Sequence, residues 1–125
     1  MDSAETNKTK IKTPPEKLYD LGMIEQLCRG NQEEVKKMVW VFINQAVLSL
    51  EEIKLAYAQR DFAGLKSAAH KIKPSLTYYG ITVLQNDIQL IEILAQQELA
   101  AELKLPVAKL HDLLTSIIEK MQADL

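Results

Sequence analysis

His70 stands among cations, with Lys66 four residues before it, Lys71 beside it and Lys73 three residues after it. In a helix, positions three and four apart share a face. A neutral imidazole is a good nucleophile that titrates near neutrality. A phosphoryl group on its ring would carry up to about two negative charges at neutral pH and would need cationic neighbours. Lys73, one turn on, can offer an ammonium to those oxygens. The side chains flanking the same face, Ala63, Ser67 and Thr77, are small enough to let another protein's active site approach the ring. A lone exposed histidine is usually only a solvated side chain. Here a nucleophile, cations and an open approach occur together, and that combination points to phosphoryl chemistry.

The rest of the chain narrows the possibilities. His111 lies far along the sequence, and no His or Cys spacing resembles a metal site, so no metal is expected. His111 reads as a flank residue. The single cysteine, Cys28, has no partner for an internal disulfide and sits in an apolar pattern with Ile24 and Leu27, as a small core residue would. No Gly-rich loop of the Walker type is present, and 125 residues leave no room for a kinase domain beside the helices. A formal net charge of −2 argues against general nucleic-acid binding. No apolar run approaches the roughly 18 residues of a membrane span, and the first residues lack the apolar stretch of a signal peptide. The expectation is a cytoplasmic protein with neither nucleic acid nor membrane as partner.

The elements that must position His70 read as helical nearly throughout, giving an all-α fold. Residues 1–15 form a polar, lysine-bearing tail closed by Pro14 and Pro15, expected to be flexible. Residues 16–125 make one domain, long enough to bury a core without disulfides. A first helix is expected over 16–29, with Leu18, Leu21, Ile24, Leu27 and Cys28 inward. A second runs over 32–59 on Val35, Val39, Phe42, Ile43, Ala46, Leu50, Ile53 and Tyr57. Asp61 suits the N-cap of a third helix, whose seam is Leu65, Ala69, Ile72, Leu76 and Tyr79 and which ends at Gly80. By that periodicity His70 points roughly 140° away from the seam. A fourth helix spans about 82–97 with Leu84, Ile88, Ile91 and Ala95 inward. The last covers about 106–123, with Pro106 in its first turn and Leu110, Leu114, Ile117 and Met121 inward. Short connections favour antiparallel neighbours, hence an up-down-up-down four-helix bundle with a short extra N-terminal helix.

The segment from Ala69 to Ile81, AHKIKPSLTYYGI, resembles the signature of histidine-containing phosphotransfer (HPt) domains. That signature reads Ala-His-x-Leu-Lys-Gly-Ser, then a Gly followed by an apolar residue. Ala69, His70, Ile72, Lys73, Ser75, Gly80 and Ile81 fit it, and the likeness extends over about residues 20–123. The resemblance implies phosphorylation of His70 on Nε2, with Lys73 holding the phosphoryl group. It also implies that Glu92, 22 residues on, orients the ring through Nδ1. Independently, Gln85, Gln89 and Glu92 form a polar stripe on the fourth helix, and a carboxylate accepting from Nδ1–H would leave Nε2 able to attack. The docking surface would comprise Lys66, Ser67, Lys71, Pro74, Thr77 and Gln89. Pro74 departs from the usual Gly, since proline removes an N–H and crowds the His70 carbonyl.

The function so implied is a phosphoryl carrier in a two-component phosphorelay rather than an enzyme. A receiver domain of a hybrid sensor histidine kinase would donate, and the receiver domain of a response regulator would accept. The carrier itself, a monomer, would need no cofactor, with Mg²⁺ supplied in the receiver partner. The alternative is a helical adaptor of the same fold that carries no phosphate.

Overall fold

A computed structural model describes residues 18–125. The tail read over residues 1–15 lies outside the described residues. Among those described, the chain is all-helical with no strand, and it forms five helices: α1 (Gly22–Leu27), α2 (Gln32–Ala58), α3 (Phe62–Tyr78), α4 (Gln85–Gln96) and α5 (Ala100–Asp124). No helix among the described residues is long and apolar enough to cross a membrane.

The core follows the helical period. Every residue expected inward on α2 is buried except Tyr57, which is half-buried, and Ser49 and Ala56 join them. On α3 the seam Leu65, Ala69, Ile72, Leu76 and Tyr79 is buried together with Ala68. The side chains of Asn31 and Asp61 cap α2 and α3 by accepting from the Glu34 and Gly64 N–H groups. α3 packs against α2 and α4, and α5 packs against α4 and α2.

Four helices end in the same way. After α1, α2, α3 and α4 the chain takes a left-handed residue: Arg29, Arg60, Gly80 and Glu98. The following N–H bonds back across the turn to Glu25, Ala56, Leu76 and Leu94 carbonyls, respectively. This doubly bonded ending satisfies carbonyls the helix leaves unpaired. Only one of the four uses glycine.

Two expectations need correction. The first helix is six residues, Gly22–Leu27, not 16–29, and Leu27 is 63% exposed. α1 packs chiefly on α2, so it buries one narrow stripe through Ile24, and Leu27 falls outside it. The last helix begins at Ala100, which makes Pro106 an interior residue rather than a first-turn one. An interior proline costs about 3 kcal/mol. The extra turns offset this by seating Leu103, fully buried, in the stripe that continues through Val107 and Leu110. α3 likewise continues past Pro74 to Tyr78, so the His70 carbonyl has no helical N–H partner there.

Candidate functional site

The α3–α4 crossing is set by three cross-helix contacts. Thr77 accepts from Gln85, His70 meets Glu92, and Lys66 donates to Gln96. Each step back along α3 is matched by an equal step forward along α4, so the two helices run antiparallel and the spacing of 22 residues brings His70 against Glu92. Lys71 to Glu52 and Tyr79 to Met38 define the same antiparallel sense for α2 and α3.

At the centre of the crossing, His70 Nδ1 lies 2.7 Å from Glu92 Oε2, and Lys73 Nζ lies 2.9 Å from Glu92 Oε1. One carboxylate therefore serves two partners. The His70 side chain is 73% exposed, whereas that of Glu92 is 13% exposed. Burial works to raise the Glu92 pKa, but the hydrogen bonds and positive charge of Lys73 and His70 outweigh it. They hold the carboxyl below its usual 4.5. An ionised carboxylate only accepts, so Nδ1 must donate. In the neutral ring the proton is thereby held on Nδ1, which leaves the Nε2 lone pair free.

The other expected residues surround this pair. Lys66, Ser67, Lys71, Pro74, Thr77 and Gln89 are all exposed. Lys73 is only partly so, and it points to Glu92 instead of standing clear in solvent. A cleft of about 760 Å³ opens beside His70, lined by Phe62, Ala63, Lys66, Ser67, Lys71 and Gln96 among others. Two supporting side chains escaped the sequence reading, Gln96 on Lys66 and Glu52 on Lys71. Gln96 could have been found, because it lies one turn beyond Glu92 just as Lys66 lies one turn before His70.

No protein-family model, curated protein or solved structure matches the chain. His111 is half-buried on α5, with Nδ1 3.6 Å from Asp112, and is separate from the His70 cluster. Among the described residues, no group of three or more His, Cys, Asp or Glu side chains could hold a metal ion.

Glu92→Ala should destabilise the fold by about 1 kcal/mol at neutral pH, because a charged hydrogen-bond pair whose partners keep water contact is worth the low end of its range. The folded pKa is lowered, so this contribution is complete above the usual glutamate value and is lost as pH falls through the lowered one. Denaturant titrations from pH 7 downwards should show the gap between wild type and variant narrowing below about pH 4.5. A constant gap would mean that the carboxylate charge contributes nothing.

Proposed function

We propose that this chain is a histidine phosphotransfer module that relays a phosphoryl group between receiver-domain aspartates through His70. In this reading α2 to α5 form an up-down-up-down four-helix bundle, and α1 is the short extra helix. Support comes from the antiparallel sense of the α2–α3 and α3–α4 crossings and from the pairing of α5 with both α2 and α4. The observation that carries the function is the exposed imidazole whose Nδ1 is held by a mostly buried carboxylate, itself held by a lysine.

The chemistry follows from that arrangement. The Nε2 lone pair attacks the phosphorus of an aspartyl phosphate on a hybrid kinase's receiver domain. The P–O bond to the aspartate breaks, the aspartate leaves as carboxylate, and an Nε2–P bond forms. The ring keeps its proton on Nδ1 and becomes cationic, which Glu92 offsets. A protonated ring is also the better leaving group, so the same contact favours onward transfer to the aspartate of a response-regulator receiver. Lys73 keeps Glu92 ionised throughout. Mg²⁺ in the receiver would stabilise the transferring oxygens. This chain supplies nucleophile, orientation and charge, and acts as carrier and substrate rather than enzyme.

The test is to incubate the full chain with a receiver domain carrying labelled aspartyl phosphate and Mg²⁺. Label should move to the chain in an acid-labile form. Label that stays on the receiver, or is lost only to water, would favour the adaptor reading.

A further inference from the structure

Lys71 and Lys73 are each paired with a carboxylate, whereas Lys66 is held by the neutral amide of Gln96. We infer that Lys66 is the cation that closes on the phosphoryl group of phosphorylated His70, leaving Gln96 as it does so. The inference rests on the phosphotransfer reading above, and within it gives Lys66 a role that the family resemblance assigns to Lys73.

Each competitor is committed elsewhere. Lys73 is 35% exposed and sits 2.9 Å from Glu92 Oε1. Were it to swing onto the phosphoryl oxygens, a carboxylate that is 13% exposed would keep only the His70 N–H, and an enclosed charge stripped of its ion partner is costly. Lys71 follows His70 directly in sequence, and adjacent residues of a helix do not face one another. Its ammonium lies 3.0 Å from Glu52, in the groove with α2 on the other flank of α3.

Lys66 differs on each count. It is one turn before His70 on the same face, and helical side chains lean toward the N-terminus, so the His70 ring lies over the turn that carries Lys66 and Ser67. Lys66 and His70 line the same open cleft; Lys71 also reaches its wall, but its ammonium is paired with Glu52, whereas that of Lys66 meets only the Gln96 amide there. The Gln96 carbonyl oxygen offers a hydrogen bond but no counter-charge, so a dianion nearby out-competes it readily. Gln96 lies one turn beyond Glu92 on the antiparallel helix, so the ammonium rests in the α3–α4 groove one turn from the ring, on the wall of the cleft the two residues share. Part of the rotamer freedom that Lys66 would lose on binding phosphate is already lost in the unphosphorylated protein.

The test separates holding the phosphoryl group from docking a partner. Labelled receiver aspartyl phosphate, Mg²⁺ and the full chain are mixed and left to equilibrate, and the ratio of phosphohistidine to aspartyl phosphate is measured. A residue that only aids docking changes forward and reverse rates together and leaves this ratio alone. Lys66→Met keeps the stem and removes the charge; it should shift the ratio toward the receiver by roughly two- to fivefold, the scale of an exposed ion pair. Lys66→Arg should restore it. An unchanged ratio in Lys66→Met, with wild type loading normally, overturns the inference and leaves the phosphotransfer reading intact. So does a ratio moved by Lys73→Met and not by Lys66→Met, which returns the role to Lys73. Failure of wild type to load overturns the phosphotransfer reading, and this inference with it.

Discussion

His70→Gln is expected to abolish acid-labile phosphorylation by a phosphorylated receiver while leaving the fold unchanged. Glutamine is polar and of similar length but has no nucleophilic ring nitrogen. Loading should fall by at least about a thousandfold, the scale on which removing a catalytic nucleophile acts. The side chain is 73% exposed, and substitutions at such positions usually change stability within about 0.5 kcal/mol. Glu92 keeps Lys73 at 2.9 Å, so no isolated carboxylate is left behind. The measurement is label incorporation in the variant beside a circular dichroism melt. The internal control is His111, half-buried and beside Asp112, with no carboxylate–lysine pair on its ring among the described residues. Label persisting on His111 in the His70→Gln protein would refute His70 as the acceptor, even with an unchanged melt.

Much of the positioning of this site was legible because it depends on period and spacing. The seam from Leu65 to Tyr79 points His70 outward, and the polar stripe Gln85, Gln89 and Glu92 marks the facing flank of α4; that Glu92 in particular meets the ring was implied by the family resemblance alone. The Asp61 cap was legible from its place before the first apolar turn. What escaped depends on tertiary context. Arg60 and Glu98 adopt left-handed backbone, at φ values of 58° and 56°, with none of the residue types that signal it. There the gain from the closing hydrogen bonds and the adjacent core outweighs a local preference. Pro106 was misleading for the same reason, since burial of Leu103 carries α5 back to Ala100. The Lys73 ammonium was expected beside the phosphoryl group, but periodicity places a side chain on a face without naming its partner. A mostly buried carboxylate across the groove attracts it more strongly than solvent does.

Gly80→Ala should be the more damaging change to the fold, and the reason is not the backbone angle alone. Gly80 has φ +65°, yet Arg29, Arg60 and Glu98 end their helices at similar angles with full side chains. What distinguishes Gly80 is the chain packed against it. A Cβ there would lie 2.6 Å from the Asp20 carbonyl oxygen and Cβ and 2.7 Å from its nitrogen, contacts that only a backbone shift can relieve. Asp20 is held in place by its N–H to the Tyr79 carbonyl, and its side chain accepts from the Gly22 N–H at the start of α1. Relief would therefore break the tie between the Leu18–Leu21 segment and the end of α3. It would also disturb Tyr79, which stacks on Phe42 and donates to the Met38 carbonyl. Left-handed strain of about 1–2 kcal/mol and overpacking of about 1–3 kcal/mol together predict a loss of about 2–5 kcal/mol. Gly30 supplies the comparison, since its φ is +78° and an added Cβ meets nothing within 4 Å. Gly30→Ala should lose only the conformational part. His70 lies nine residues before Tyr79, and its contact with Glu92 does not pass through this turn, so at low temperature the folded Gly80→Ala protein should still accept phosphate. Thermal or urea melts of the two variants decide the matter. Equal losses at Gly80 and Gly30 would show that backbone angle, not the Asp20 contact, requires glycine at position 80.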